Sequence, residues 1–100
     1  EALASRLPRG HADLKDQLRR AAAATVRHIA EGANRVHPRD KAARSLLARA
    51  ECGECEATLE MVWACRLASE ESVWRLRRLA DRVGAMTWGL IRRERARTDP

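Results

Sequence analysis

A chain of 100 residues and 11.3 kDa holds one domain, with a core small enough that association with further copies would help stabilise it. Hydrophobic residues reach 45% without any Phe or Tyr, so the apolar mass is Ala, Leu and Val with three Trp, which suits closely packed helices better than a sheet. Twenty Lys and Arg against 14 Asp and Glu leave net +6 and a pI near 10.5, which admits nucleic acid or another acidic partner, although Arg-rich and Ala-rich chains can be basic and bind neither.

Glu1 to Leu7 reads as the last turns of a helix whose beginning is absent, stopped by Pro8 and Gly10. The next helix is expected over 12–31: Leu14, Leu18, Ala21, Ala22, Thr25 and Ile29 share one stripe, Asp13 suits its positive end, and Gly32 is placed to cap it in the left-handed conformation. Gly32, Asn34 and Pro38 separate it from a third helix over 38–67, opened by Pro38 and Asp40. Along that helix Leu46, Leu47, Ala50, Gly53, Ala57, Met61 and Ala64 form a broad face of mostly small residues, the expected packing side. Ser69 starts a fourth helix over 70–96, with Glu70 and Glu71 in its first turn and a seam of Leu76, Leu79, Ala80, Val83, Met86 and Leu90. These elements predict one all-α domain over 1–100, an antiparallel up-and-down four-helix bundle whose first helix is truncated.

The segment Leu14 to Gly32, L-x-x-Q-L-R-R-A followed after seven residues by I-A-E-G, resembles the four-helix bundle proteins encoded in intervening sequences of 23S ribosomal RNA genes. His28 stands where that family has an Asn before the I-A-E-G. Further on, Ala50, Cys52, Gly53 and Glu56 sit where it has an Ala, a Gly-Ser pair and a Glu, so this second motif is degraded. The resemblance covers about residues 3 to 93. It implies a homo-oligomer, often a pentameric ring, with no settled biochemical activity. A related branch, the accessory proteins of diversity-generating retroelements, implies basic pentamers that engage a reverse transcriptase and its RNA.

The charged residues of the motif carry their own geometry. Arg20, Arg27 and Glu31 share a stripe away from Leu14 and Leu18, and at a rise of about 1.5 Å per residue Arg20 and Glu31 stand about 16 Å apart, too far to pair within one helix. They could pair between neighbouring subunits of a ring, together with Gln17; a solvated face and a direct RNA contact are the other readings. Glu56, at a motif position, reads as structural or as an interface contact. Trp74 and Trp88, two heptads apart on one face, are expected to be buried in a core or an interface, with base stacking the lesser alternative. Arg75, Arg77, Arg78 and Arg82 on the fourth helix, and Arg92, Arg93, Arg95 and Arg97 at its exit, form an array that would meet a phosphate backbone without reading bases.

Catalysis and cofactors find no support in the pattern. Cys52 and Cys55 can converge on a helix, but Cys65 points about 80° away and His11, His28 and His37 lie on other segments, so no four-ligand zinc set forms. Three cysteines, an odd number, argue against a disulfide framework and agree with a reducing compartment; they are expected as buried, inert thiols. Glu51, Glu54, Glu56 and Glu60 suggest a di-metal carboxylate bundle, yet no Glu-x-x-His pair accompanies them. No apolar run approaches the roughly 18 residues of a membrane span and no signal peptide is present. The sequence therefore predicts a cytoplasmic, non-enzymatic homo-oligomer without cofactor. It acts as a scaffold or adaptor that binds RNA or a reverse transcriptase-like protein, or as a self-assembly module with no nucleic-acid role.

Overall fold

The computed structural model describes residues 11–98, and the stub read over 1–7 lies outside them. The described chain is all-α and contains three helices, α1 (Ala12–Ala33), α2 (Pro38–Ala64) and α3 (Glu70–Thr98), where the sequence had suggested a four-helix bundle. Two expected boundaries are extended, 12–31 to Ala33 and 70–96 to Thr98, and one is shortened, 38–67 to Ala64.

Capping explains most of these limits. Pro38 opens α2 as expected, and the His37 side chain before it accepts a hydrogen bond from the Arg39 backbone N–H through Nδ1 at 3.1 Å. Ser69 caps α3, its Oγ accepting from the Ser72 N–H at 3.1 Å. Helix α2 stops early because Arg66 turns left-handed, with φ 58°, so that its N–H reaches the Trp63 carbonyl while the Leu67 N–H reaches that of Val62. The Arg66 guanidinium then lies 4.6 Å from the centre of the Trp63 ring.

Gly32 is not the left-handed cap that was expected. It stays inside α1, buried where α2 crosses, and a Cβ placed on it would stand 3.2 Å from Arg44 Cβ and 3.6 Å from the Lys41 carbonyl oxygen. The chain leaves α1 through Asn34 in a right-handed conformation. The Asn34 and Arg35 N–H groups donate to the carbonyls of Ala30, Glu31 and Gly32, and Lys41 adds to this cap from the neighbouring helix, its Nζ donating to the carbonyl oxygens of Gly32 and Ala33 at 3.4 and 3.3 Å.

Helix α2 is the centre of the fold. It runs antiparallel to both neighbours and packs along each, while α1 and α3 have at most marginal contact with one another. Leu14 and Leu18 of α1, Leu59 and Val62 of α2 and Val73 of α3 form the apolar cluster at one end, flanked by Trp63, Leu67 and Leu76. Beyond it the buried arc of α2 is made of small side chains, Ala42, Ser45, Ala48 and Cys52. The broad face predicted for this helix is thus the outward one: Leu46, Leu47 and Met61 are 40%, 45% and 49% exposed, and Ala50, Ala57 and Ala64 are not buried either. Close approach by two helices selects small residues for the inner arc, and this reverses the polarity that counting large apolar groups suggests.

A related correction applies to α3. Its buried line runs through Val73, Gly84, Thr87, Ile91 and Glu94, whereas Leu79 and Met86 of the predicted seam are 50% and 69% exposed. The stripe predicted for α1 holds for Leu14, Leu18, Ala21 and Thr25, with Ala22 and Ile29 half-buried.

Two glycines test the helix crossings. A Cβ added at Gly89 would meet nothing within 4 Å outside its own turn of helix, so Gly89→Ala raises stability by about 0.5–1 kcal/mol through helix propensity alone. Gly32→Ala places a methyl against the Arg44 Cβ and α2 backbone and lowers the melting temperature despite the same propensity gain; thermal unfolding of both variants checks the opposite signs.

Candidate nucleic-acid interface

The seam between α2 and α3 sets the orientation of the basic helix. Cys52 Sγ donates to the Ala80 carbonyl at 3.1 Å, and Gly84 lets Arg49 and Glu56 approach, both within 3.7 Å of the place a Cβ would occupy. Arg77 turns towards α2 and pairs with Glu60, while Glu94 is 1% exposed and bound by Arg93 at 3.0 Å and Arg97 at 2.9 Å. Burial pushes the Glu94 carboxyl up, but the hydrogen bond from Arg93 and the charges of Arg97, Arg93 and Lys41 outweigh it and hold the group below its ordinary value.

This packing sorts the arginines predicted to meet phosphate. Arg77 and Arg93 are committed to ion pairs at the seam, and Arg75 to Glu71 at 2.9 Å on the surface. Among the described residues Arg78, Arg82, Arg92 and Arg95 have no acidic partner within ion-pair distance, and all four are exposed. Arg95 lies 5.9 Å over the Trp88 ring. Of the two places expected for Trp74 and Trp88, a core or an interface, the core of the described chain does not hold them, since they are 61% and 41% exposed. The physical reason is that α3 is packed on one side only, and its buried line lies well round the helix from both tryptophans.

The predicted polar-contact residues separate into three places. Gln17 and Arg20 line a groove between α1 and α2 with Glu54, Ala57, Thr58 and Met61, and Arg20 is 3.4 Å from Asp16. Arg27 and Glu31 stand 3.9 Å apart beginning about two turns further on, and Glu31 pairs across the seam with Arg44 at 2.9 Å. Arg20 and Glu31 do not meet. Glu56 is half-buried on the opposite flank, against α3.

Arg44, Lys41 and Glu94 were missed by the sequence reading. Arg44 and Lys41 carried no signal, because their partners lie on another helix. The spacing of Glu94 to Arg93 and Arg97, at i−1 and i+3, could have marked a clamped carboxylate.

The thiols depart in part from expectation: Cys52 is buried and Cys55 half-buried, but Cys65 is exposed. Burial pushes the Cys52 thiol up, and pushes Cys55 up to about 11 with Cys52 and the nearby glutamates adding to it, so both remain protonated and unreactive at neutral pH. Among the described residues no group of three His, Cys, Asp or Glu side chains converges on a possible metal position. No described helix is long and apolar enough to cross a membrane.

The family of 23S rRNA-intervening sequence proteins matches residues 2–89. The chain belongs to that family. The match spans all of α1 and α2 and α3 as far as Gly89, so the central helix lies wholly within it, and Arg92 to Arg97 lie beyond the matched residues. No curated protein and no solved structure matches the chain.

The clamp on Glu94 gives this family member a pH signature. A carboxyl whose folded value is lowered contributes stability that is fully present above its unfolded value, near 4.5, and is lost as pH falls through the folded value. Glu94→Gln therefore melts below the native chain at neutral pH, and the gap narrows under acid conditions. Melting curves across that range check the sign, and parallel curves would contradict it.

Proposed function

We propose that this intervening-sequence protein is a non-enzymatic, homo-oligomeric helical scaffold of the cytoplasm that binds RNA, or a protein already on RNA, through the outer face of α3. The observation that carries this reading is the unneutralised set Arg78, Arg82, Arg92 and Arg95, spread along one helix and without an acidic partner among the described residues. Such an array gains affinity for a phosphate backbone by releasing condensed counterions, and that gain needs no base readout. A reverse transcriptase-like protein is the kind of RNA-bound partner that the related accessory proteins suggest.

Self-association has its own support in the apolar outer face of α2. Leu46, Leu47 and Met61 are too exposed, and Met61 lies too close to Gln17 and Arg20 in their groove, for a face designed only for water. A second copy seated there would bring Arg20 and Gln17 to an interface, with Arg27 and Glu31 at its edge, as a ring such as a pentamer requires. The four-helix form belongs to the same proposal: Leu79 and Met86, with half-buried Val83 and Leu90, offer a further helix an apolar flank on α3. A purely structural module with no nucleic-acid role is the alternative, and it would leave the α3 arginines to serve solubility.

Sedimentation of the protein with a labelled RNA, at low and high salt, tests both halves. The proposal expects a sedimenting oligomer in the absence of RNA, RNA carried with it at low salt, and loss of that RNA at high salt. Arg78→Glu with Arg82→Glu abolishes the co-sedimentation while leaving the protein's own mass unchanged. A monomer removes the scaffold, and absence of RNA binding even at low salt removes the adaptor.

A further inference from the structure

The outward side of α3 is patterned more finely than a simple basic surface. Trp74, Arg78, Asp81, Ala85, Trp88, Arg92 and Arg95 follow one another at alternating steps of four and three residues, which puts them on a single stripe, and none of the seven is buried. An amphipathic helix normally reserves such a line for its apolar contact, and α3 already has that contact elsewhere, through Val73, Gly84, Thr87 and Ile91. Two large aromatic rings therefore stand in water with arginines between and beyond them, and Asp81 is the single acid of the stripe.

Trp74 borders two grooves, one lined by Arg78 and Arg82 with the Arg75–Glu71 pair, the other by Trp63 and Glu70 with the Arg77–Glu60 pair. Its ring edges are thus open to a flat ligand, with cations within reach. The Arg95 guanidinium lies 5.9 Å from the centre of the Trp88 ring, which places a cation near anything that stacks there. Fourteen residues at a rise of about 1.5 Å separate the two rings by about 21 Å along the axis. At a stacked spacing of about 3.4 Å per nucleotide, that distance is about six nucleotides of one strand.

Resting on the RNA reading above, we infer that this stripe is a platform for single-stranded nucleic acid, on which Trp74 and Trp88 stack against bases while Arg78 takes a phosphate between them and Arg92 and Arg95 take phosphates beyond Trp88. Every base offers a π-face, so the platform selects unpaired strand over duplex and is indifferent to sequence. Duplex phosphates would meet the arginines equally well, but paired bases cannot reach the rings. The tryptophans are what give the surface this preference.

The test uses the full chain and a labelled oligouridine about twelve nucleotides long, twice the estimated span, beside an RNA duplex of the same length. Binding of the single strand quenches tryptophan fluorescence, and the duplex binds more weakly and does not quench. Trp74→Leu and Trp88→Leu each weaken single-strand binding on the order of tenfold, with little effect on the duplex, and Trp74→Phe restores most of the loss. Half-buried Trp63 supplies a constant background, read from the double leucine variant. Unchanged helicity by circular dichroism confirms that the exposed substitutions leave the fold intact. Wild-type affinity in the leucine variants, or a duplex held as tightly as the single strand, would overturn the platform; if Arg78→Glu still abolished binding, RNA recognition by the α3 face would survive without it. Failure of either RNA to bind at low salt would sink both.

Discussion

Everything in this molecule depends on how closely two helices can approach α2 at once. Its inner arc is built from Ala42, Ser45, Ala48 and Cys52, and the crossing helices answer with Gly32 on one side and Gly84 on the other. Small residues on both partners bring the backbones near enough for side-chain-to-backbone bonds to cross the seams, Lys41 to the end of α1 and Cys52 to the Ala80 carbonyl. The stability gained is dispersion from close packing more than burial of large side chains, which is how a chain without Phe or Tyr builds a core. Only the end holding Leu14, Leu18, Leu59, Val62 and Val73 resembles an ordinary aliphatic core.

That constraint determines what is left outside. Because α1 and α3 both lean on α2 and scarcely on one another, each keeps most of its circumference free. The larger apolar groups, Leu46, Leu47, Met61, Leu79 and Met86, are displaced to the surface, where they are suited to contacts with further helices or further copies. Charge follows the same division. Arginines beside a seam are consumed by carboxylates, as Arg77 is by Glu60, Arg44 by Glu31 and Arg97 by Glu94, and Arg78, Arg82, Arg92 and Arg95 on the far side of α3 have no acidic partner among the described residues.

The amino-acid sequence made the elements legible and left their faces obscure. Pro38 and Ser69 mark helix starts by local chemistry, and local chemistry is what a sequence displays. The family motif of α1 was equally plain. The packing side of α2 was hidden because Ser45, Cys52 and Thr58 look polar or indifferent until a second helix lies against them, while Leu46 and Leu47 look like core. On α3 the same preference for bulk favoured Leu79 and Met86 over Gly84 and Thr87, and it did not show that Trp74 and Trp88 lie outside the chain's own core. The pairings of Glu31 with Arg44 and of Arg77 with Glu60 depend on the crossing geometry, to which no spacing along one helix gives access.

One comparison bears most directly on the central role of α2. Ala48 has 0% exposure and Ala50, two residues on, is exposed, so the same enlargement to leucine should have opposite consequences. Ala48→Leu forces both seams apart and lowers unfolding stability by about 1–3 kcal/mol, whereas Ala50→Leu leaves it within about 0.5 kcal/mol. Denaturant unfolding of the two variants measures the difference. Equal stabilities, or a larger loss at Ala50, would mean that the small-residue arc of α2 does not hold the bundle together.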